Sequence, residues 1–243
     1  MKTTILGVSF HNLLPDAACD LAFSFFESST ACTVFTPNPE MVMLARKDTD
    51  FKKILDSGDL VIPDGIGVVY ASRLTKNKIP RRVAGIDLLT NLFERMGKNG
   101  NSVYFLGSAE GVAEAAAIKM KEQFPSLKIV GTSHGYFADE DSAPIIAKIN
   151  EAKPDMLVVG LGFPRQEKWI FRHKHQLCAK ILWGAGGSLD VLSGKIPRAP
   201  KIFQKLGIEW LFRLLRQPRR IWRQRVLVKF VFVVLVNKLR GKL

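Results

Sequence analysis

The chain has 243 residues, 47% of them hydrophobic and 24% charged, with a mean hydropathy of +0.07. That composition excludes a disordered or fibrous chain and suffices for one domain-sized core plus an extension. The formal net charge of +14 is uneven: residues 195–243 hold fourteen Lys and Arg against the single acid Glu209, which accounts for +13 of it. A nearly neutral body is thus joined to a basic segment suited to an anionic partner, either a nucleic acid or a membrane face.

From the N-terminus, MKTTILGVSFHNLLPDAACDLA carries a short apolar run broken by His11, Asn12 and Asp16. It reads as a first strand, not a signal peptide. Seven apolar runs, each followed by turn residues, recur along the chain: TTILGVSF, CTVFTPN, DLVIPDG, NSVYFLGS, LKIVGTSHG, DMLVVGLG and KILWGAGG. Each has the unbroken apolar character of a strand buried on both faces of a parallel sheet. Segments with helical spacing lie between them, among them 110–124 and 165–176. The predicted fold is therefore α/β, a Rossmann-like, mostly parallel sheet with helices on both faces.

A composition shift near Ser193, Gly194 and Lys195 divides the chain into an α/β domain, 1–194, and a basic amphipathic helical appendage, 195–243. In the appendage, 203–217 and 218–240 read as two helices, with Pro218 in the first turn of the second. The longest apolar stretch, 226–236, contains Lys229 and is about half the ~20 residues of a spanning helix, so no segment is expected to cross a bilayer. Cys19, Cys32 and Cys178 are odd in number and widely spaced. They indicate neither a disulfide framework nor a zinc site, and point to a reducing cytosol.

Ligands of an open parallel sheet bind beyond the carboxyl ends of its strands. The residues there are Thr36, Pro37 and Asn38; Pro63, Asp64 and Gly65; Gly107 and Ser108; His134, Gly135 and Tyr136; Gly162 to Gln166; and the GAGGS run containing Gly186. Glycine at so many strand ends suggests backbone lying against a ligand, and amides entering a helix at Gly107 and Gly162 suit phosphate. Tight turns need glycine anyway. Neither GxGxxG nor GxxxxGK[ST] occurs, so a nicotinamide enzyme or a nucleotide hydrolase has no support.

Asp64, between Pro63 and Gly65, is the strongest candidate for a catalytic group, although the same spacing suits a helix N-cap for 66–74. Arg82 offers paired donors to a phosphate, or lies on solvated surface. Gln166 can both donate and accept at the charged start of a helix. The rings of His134 and Tyr136 suit stacking on a nucleobase or covering a sheet edge. Two acidic triplets, Asp48-Thr49-Asp50 and Asp139-Glu140-Asp141, read as helix ends and surface, so no metal site is assigned.

Taken together, TPNPEMVMLARKD, DLVIPDGIGVVYASRL, RVAGIDLL, VYFLGSAEGVAE, IVGTSHGYF, VVGLGFPRQEKWI, GAGGSLDVLSGKIPRAP and GIEWLFRLLRQPRRIWRQ resemble the WecG/TagA/CpsF family of bacterial glycosyltransferases, from about residue 36 to 225. The resemblance implies inverting transfer of an N-acetylmannosamine-type sugar from a UDP-sugar donor to a polyprenyl-diphosphate-linked N-acetylglucosamine, for wall teichoic acid or surface polysaccharide. It implies Asp64 as general base, Thr36 and Asn38 beside it, Arg82 at the diphosphate, Gln166 from the PRQEKW motif, and Tyr136 and Asp190 at the uridine. It further implies basic residues of the C-terminal segment closing over the site, for which Arg213, Arg220 and Arg223 are the choices. No cofactor and no metal are expected. SLDVLSGK replaces the more frequent AFDFLAGR, which leaves UDP-N-acetylmannosaminuronic acid and UDP-glucose as alternative donors.

The appendage mixes Trp222, Val226, Phe230 and Val233 with Arg223, Arg225, Lys229 and Lys238, the makeup of an interfacial helix. A basic tail with Trp and Phe also marks nucleic-acid-binding modules. Such a binder has no need for glycine turns and an aspartate at strand ends. The expected partner is therefore an anionic membrane surface and not nucleic acid, with the protein cytoplasmic and peripheral on the inner face of the membrane; a homo-oligomer stays open.

Overall fold

The computed structural model describes residues 1–205, 207–216 and 221–241. In chain order the elements are β1 (Lys2–Ile5), β2 (Val8–His11), α1 (Pro15–Ser24), β3 (Cys32–Phe35), α2 (Pro39–Ala45), α3 (Thr49–Asp56), β4 (Leu60–Val61), α4 (Ile66–Ser72), α5 (Gly85–Asn99), β5 (Ser102–Gly107), α6 (Val112–Gln123) and β6 (Lys128–Ser133). There follow α7 (Ser142–Ala152), β7 (Met156–Gly160), α8 (Arg165–His173), β8 (Ile181–Gly184), α9 (Ser188–Leu192), α10 (Lys201–Lys205), α11 (Glu209–Arg216) and α12 (Ile221–Leu239).

Six strands form one sheet in the order β4-β3-β8-β7-β5-β6, and every neighbouring pair is parallel. Successive side chains of a strand point to opposite faces, and here they feed two separate cores. Tyr104, Leu106, Leu157, Val159 and Leu182 join the core under α2, α3, α8 and α12. Val103, Phe105, Val158, Ile181 and Trp183 join the core under α1, α5, α6 and α9. The predicted α/β sheet with helices on both faces is the observed one. The amphipathic α5 shows how the layers are fixed: Leu88, Leu89, Leu92, Phe93 and Met96 make one buried stripe, and the helix stops at Gly100, whose φ of 79° is a left-handed cap.

The run TTILGVSF is not a strand of this sheet. It folds back as an antiparallel hairpin, Ile5 opposite Val8, around Leu6 and Gly7 with φ of 49° and 91°. Two consecutive positive φ values are the mark of the tight turn whose twist matches a hairpin. Thr3, Ile5, Val8 and Phe10 are buried and their neighbours are not, so this is a two-stranded cover with one face on the core.

The basic segment also differs from expectation. The helix read over 203–217 is two, α10 and α11, separated around Gly207, and Pro218 lies outside the described residues. The last helix, α12, packs on α2 and α4, with Phe230 (2% exposed) and Val234 inside the first core. Val226 and Val233 also face inward, while Val228 (73% exposed), Val231, Phe232, Leu235 and Leu239 form a second, outward apolar face. Among the described residues, no helix is long and apolar enough to cross a membrane.

Candidate active site

Because all six strands run the same way, their carboxyl ends share one rim, and the loops leaving them bring Asp64, Thr36, Gly186, Gly162, Gly107 and Tyr136 to it in sheet order. Acids at the opposite rim are structural. Asp59 accepts from the Thr33 N–H and hydroxyl at 2.8 and 3.0 Å, and Asp155 does the same for Ser102.

Asp64 does not cap a helix. The residue preceding α4 is Gly65, with φ of 120°, and no side chain caps that end. Substituting a Cβ at Gly65 would bring it to 3.1 Å from the Pro39 ring, so glycine lets the Asp64 loop lie against the start of α2. The Asp64 amide donates to the Pro37 carbonyl at 3.1 Å, and the Asn38 side chain caps α2 by accepting from the N–H groups of Glu40 and Met41 at 2.9 and 3.1 Å. Thr36, half-buried, packs against Gly85 at the head of α5. Asp64, Thr36 and Asn38 are therefore one cluster, in which the Asn38 carbonyl oxygen is committed to the cap.

Arg82 is not solvated surface. It is largely buried, and its Nη2 donates both to Asp64, at 3.3 Å, and to Glu209 of α11. Burial by itself lowers its pKa, but the charges of Asp64 and Glu209 outweigh that and hold it above the ordinary value, so the guanidinium is fixed as a cation. Its Nε is buried without a partner among the described residues. The basic segment touches the same corner twice more. Gly207 abuts Ile66, and the Phe230 ring stands 3.8 Å from the place a Cβ would occupy on Gly67.

The glycines divide into two kinds. A Cβ on Gly107 would sit 2.5 Å from the Gly160 carbonyl oxygen, and one on Gly135 would meet Leu161 and the Gly107–Ser108 backbone. These two are glycine so that neighbouring loops can touch. Gly162 and Gly186, with φ of 74° and 56°, would meet nothing within 4 Å. They present open backbone to the cleft. Ser108, left-handed at φ 58°, donates its hydroxyl to Asp190 at 3.4 Å, and Tyr136 is 75% exposed.

Gln166 is buried: its Nε2 donates to Glu167 at 2.6 Å and its Oε1 accepts from the Gly186 N–H at 2.8 Å. Burial pushes the Glu167 carboxyl up to about 7, only partly countered by the Gln166 hydrogen bond. Neighbouring Arg165 donates to the carbonyls of Gly135, at 2.8 Å, and Phe137, bracing the Tyr136 loop. Of the C-terminal choices, Arg220 and the side chains of Arg213 and Arg223 lie outside the described residues.

Glu209 and Glu167 were not singled out as site residues in the sequence. Glu209 carried one signal, as the lone acid of a basic segment. Glu167 carried another: Gln166, Glu167, Trp169, Ile170 and His173 fall on the buried stripe of α8, a spacing that places the two polar residues on the apolar face.

The His11 Nδ1 accepts from the Val61 N–H at 3.0 Å, and burial first, then nearby Lys2, lowers its pKa. Asp48 caps α3 and pairs with Lys168 at 2.9 Å, and Asp139 pairs with Arg172 at the same distance. Both acidic triplets thus sit at helix ends and surface, as expected.

The glycosyl transferase family model for WecG/TagA/CpsF matches residues 3–243, essentially the whole of this rim and everything that supports it. The chain belongs to the WecG/TagA/CpsF glycosyl transferase family. Among its relatives is an N-acetylglucosaminyldiphosphoundecaprenol N-acetyl-beta-D-mannosaminyltransferase of Bacillus subtilis, 36% identical over 90% of this chain and 84% of that protein. A protein of the same name from Staphylococcus aureus is 34% identical over 99% of this chain and 95% of its own length. As a glycosyltransferase the chain requires a base for the acceptor hydroxyl and positive charge for the departing group. At the rim, Asp64 and Arg82 place a carboxylate and a guanidinium 3.3 Å apart.

Proposed function

We propose that this protein transfers an N-acetylmannosamine-type sugar from UDP to a polyprenyl-diphosphate-linked N-acetylglucosamine, with inversion, in wall teichoic acid or surface polysaccharide synthesis. The observation that carries the reading is Asp64 itself: a carboxylate at the carboxyl rim of the sheet, 3.3 Å from a fixed cation, in a chain whose relatives carry that activity in their names.

In this reading Asp64 takes the proton of the acceptor hydroxyl as the hydroxyl attacks the anomeric carbon, flanked by Thr36 and Asn38. One displacement at one face needs one base. The open amides around Gly162 and Gly186 receive the donor, with Gln166 holding the second of these turns. Gly107, Asp190 and Tyr136 shape the nucleoside side, where the exposed phenol ring of Tyr136 is free to stack on uracil. Arg82, joined by Arg213, Arg220 and Arg223 from the C-terminal segment, meets the charge that accumulates on departing UDP. The reaction is proposed to run without a metal, on the strength of that cation supply.

Residues 1–194 are read as the catalytic part and 195–243 as the part that holds it to the cytoplasmic membrane face. The outward apolar face of α12 beside Arg225 and Lys229 supports this, since apolar surface rimmed by cations suits an anionic leaflet. The test is a donor screen with purified protein, a short-chain polyprenyl-diphosphate N-acetylglucosamine acceptor and UDP-sugars, read by product mass. Transfer from UDP-N-acetylmannosamine is expected. Turnover with UDP-glucose or the uronic acid alone would reassign the donor, and none with any UDP-sugar would reject the reading.

A further inference from the structure

Glu167 has no exposed surface, and nothing in the transfer chemistry requires a carboxylate at its position. Its Oε1 accepts from Gln166 Nε2 at 2.6 Å, while its Oε2 is buried with no partner among the described residues. The orientation of the Gln166 amide between them follows from chemistry. The Gly186 N–H can only donate, so the end of Gln166 that meets it at 2.8 Å is the carbonyl oxygen, and the amino end is left to Glu167.

The strand beneath is shaped for this pair. A Cβ on Gly184, the last residue of β8, would stand 3.1 Å from Gln166 Nε2 and 3.5 Å from Glu167 Oε1. A Cβ there would press on the Gln166 amide while only touching the Glu167 carboxyl. Gly186, two residues further on, has like Gly162 a backbone that faces open space at the rim. A chain of contacts therefore runs from a buried carboxyl through one amide to a turn that lines the cleft.

A buried carboxyl with one unpartnered oxygen costs free energy that an apolar side chain of the same length would not. Groups that break a local rule in this way are characteristically kept for a site they support. We propose that Glu167 is a positioning residue: its carboxyl fixes the Gln166 amide and, through it, the Gly186 turn against which the donor sugar-diphosphate is placed. The part of this statement that concerns the donor rests on the proposed transferase reading; the part that concerns the turn does not.

Two substitutions in the full-length protein separate positioning from structure. Glu167→Met keeps the volume and removes the acceptor, and Glu167→Gln keeps an acceptor oxygen for Gln166. For Glu167→Met the expected result is a melting temperature equal to or above wild type, amide hydrogen exchange at Gly186 about tenfold faster or more, and kcat/KM for the donor down by about ten- to hundredfold, the scale of a small misplacement. Glu167→Gln is expected to restore exchange protection and turnover to within about threefold of wild type.

Wild-type protection and turnover in Glu167→Met would overturn the proposal. So would a Glu167→Met protein that does not fold, or a Glu167→Gln protein as impaired as Glu167→Met. Should the wild-type protein transfer no sugar at all, the transferase reading falls, and exchange at Gly186 still decides whether Glu167 holds the turn.

Discussion

Glu209, the single acid among the fourteen cations of the C-terminal segment, is ion-paired with Arg82, 127 positions earlier in the chain. Arg82 in turn bonds Asp64. The one negative charge of the basic segment thus ties it to the site, while two of its cations hold it elsewhere on the body, Arg198 pairing with Asp87 at 2.6 Å and Lys238 donating to the Leu74 carbonyl at 2.9 Å. Glu209→Gln should weaken this fastening by about 1–3 kcal/mol, the scale of a hydrogen bond to a charged group. Limited proteolysis should then cut the C-terminal segment sooner than in wild type. Unchanged proteolysis would show that α11 is held by its apolar contacts.

Asp64→Asn keeps the shape of the side chain and removes the base. Its kcat is expected to drop by about a hundredfold or more while UDP binding, followed calorimetrically, stays within a few-fold. A variant with near-normal turnover would remove Asp64 from the chemistry.

Two glycine substitutions should fail in different ways. Gly107→Ala drives its Cβ to 2.5 Å from the Gly160 carbonyl oxygen, backbone against backbone, and is expected to yield little folded protein. Gly186→Ala meets nothing within 4 Å, and at φ 56° costs about 1–2 kcal/mol of conformational strain. It should fold with a modestly lower melting temperature and bind the donor less tightly. Equal yields of the two proteins would contradict the division of glycines drawn above.

Glu167 also bears on stability against pH. Its folded-state pKa, about 7, lies above the ordinary 4.5. A group of this kind contributes stability that is complete below about 4.5 and lost as pH rises to about 7, at most about 3 kcal/mol. Asp48 and Asp139, whose pKa values are lowered by hydrogen bonds and ion pairs, act in the opposite sense below the ordinary carboxylate range. The wild-type minus Glu167→Gln difference in unfolding free energy isolates the Glu167 part, and should shrink between pH 5 and 7.5. A flat difference would mean that the carboxyl is solvated.

The outward face of α12 gives a test of location. Phe232→Asp, on an exposed position, should leave the fold intact and reduce binding to anionic vesicles, whereas Phe230→Asp places a charge in the core and should unfold the protein. Salt-sensitive RNA binding with no vesicle binding would reject the membrane assignment.

Much of this architecture was legible because apolar runs ending in Gly or Pro turns are the direct imprint of buried parallel strands. Six of the seven runs entered the sheet in that way. The first did not, because two residues, Leu6 and Gly7, suffice to reverse a chain and their positive φ values are not written in apolar periodicity. At the site, Asp64 stood out through its neighbours Pro63 and Gly65. The pairing of Arg82 with Glu209 depends on where α11 comes to rest in space, which no local pattern encodes. Glu167 was hidden by composition, since a glutamate within RQEK looks solvated until Trp169 and Ile170 are seen to claim the same side of the helix.

The contact of Phe230 with Gly67 has a geometrical corollary. Gly67 lies three residues past Asp64, and α12 covers it with one face while turning the other outward. A helix with its side chains is about 10 Å across. With that outward face on a bilayer, α12 becomes a spacer of fixed thickness, setting how far above the lipid the reaction takes place. An acceptor sugar carried on a diphosphate would then be met at its own height, and its lipid would have no cause to leave the leaflet.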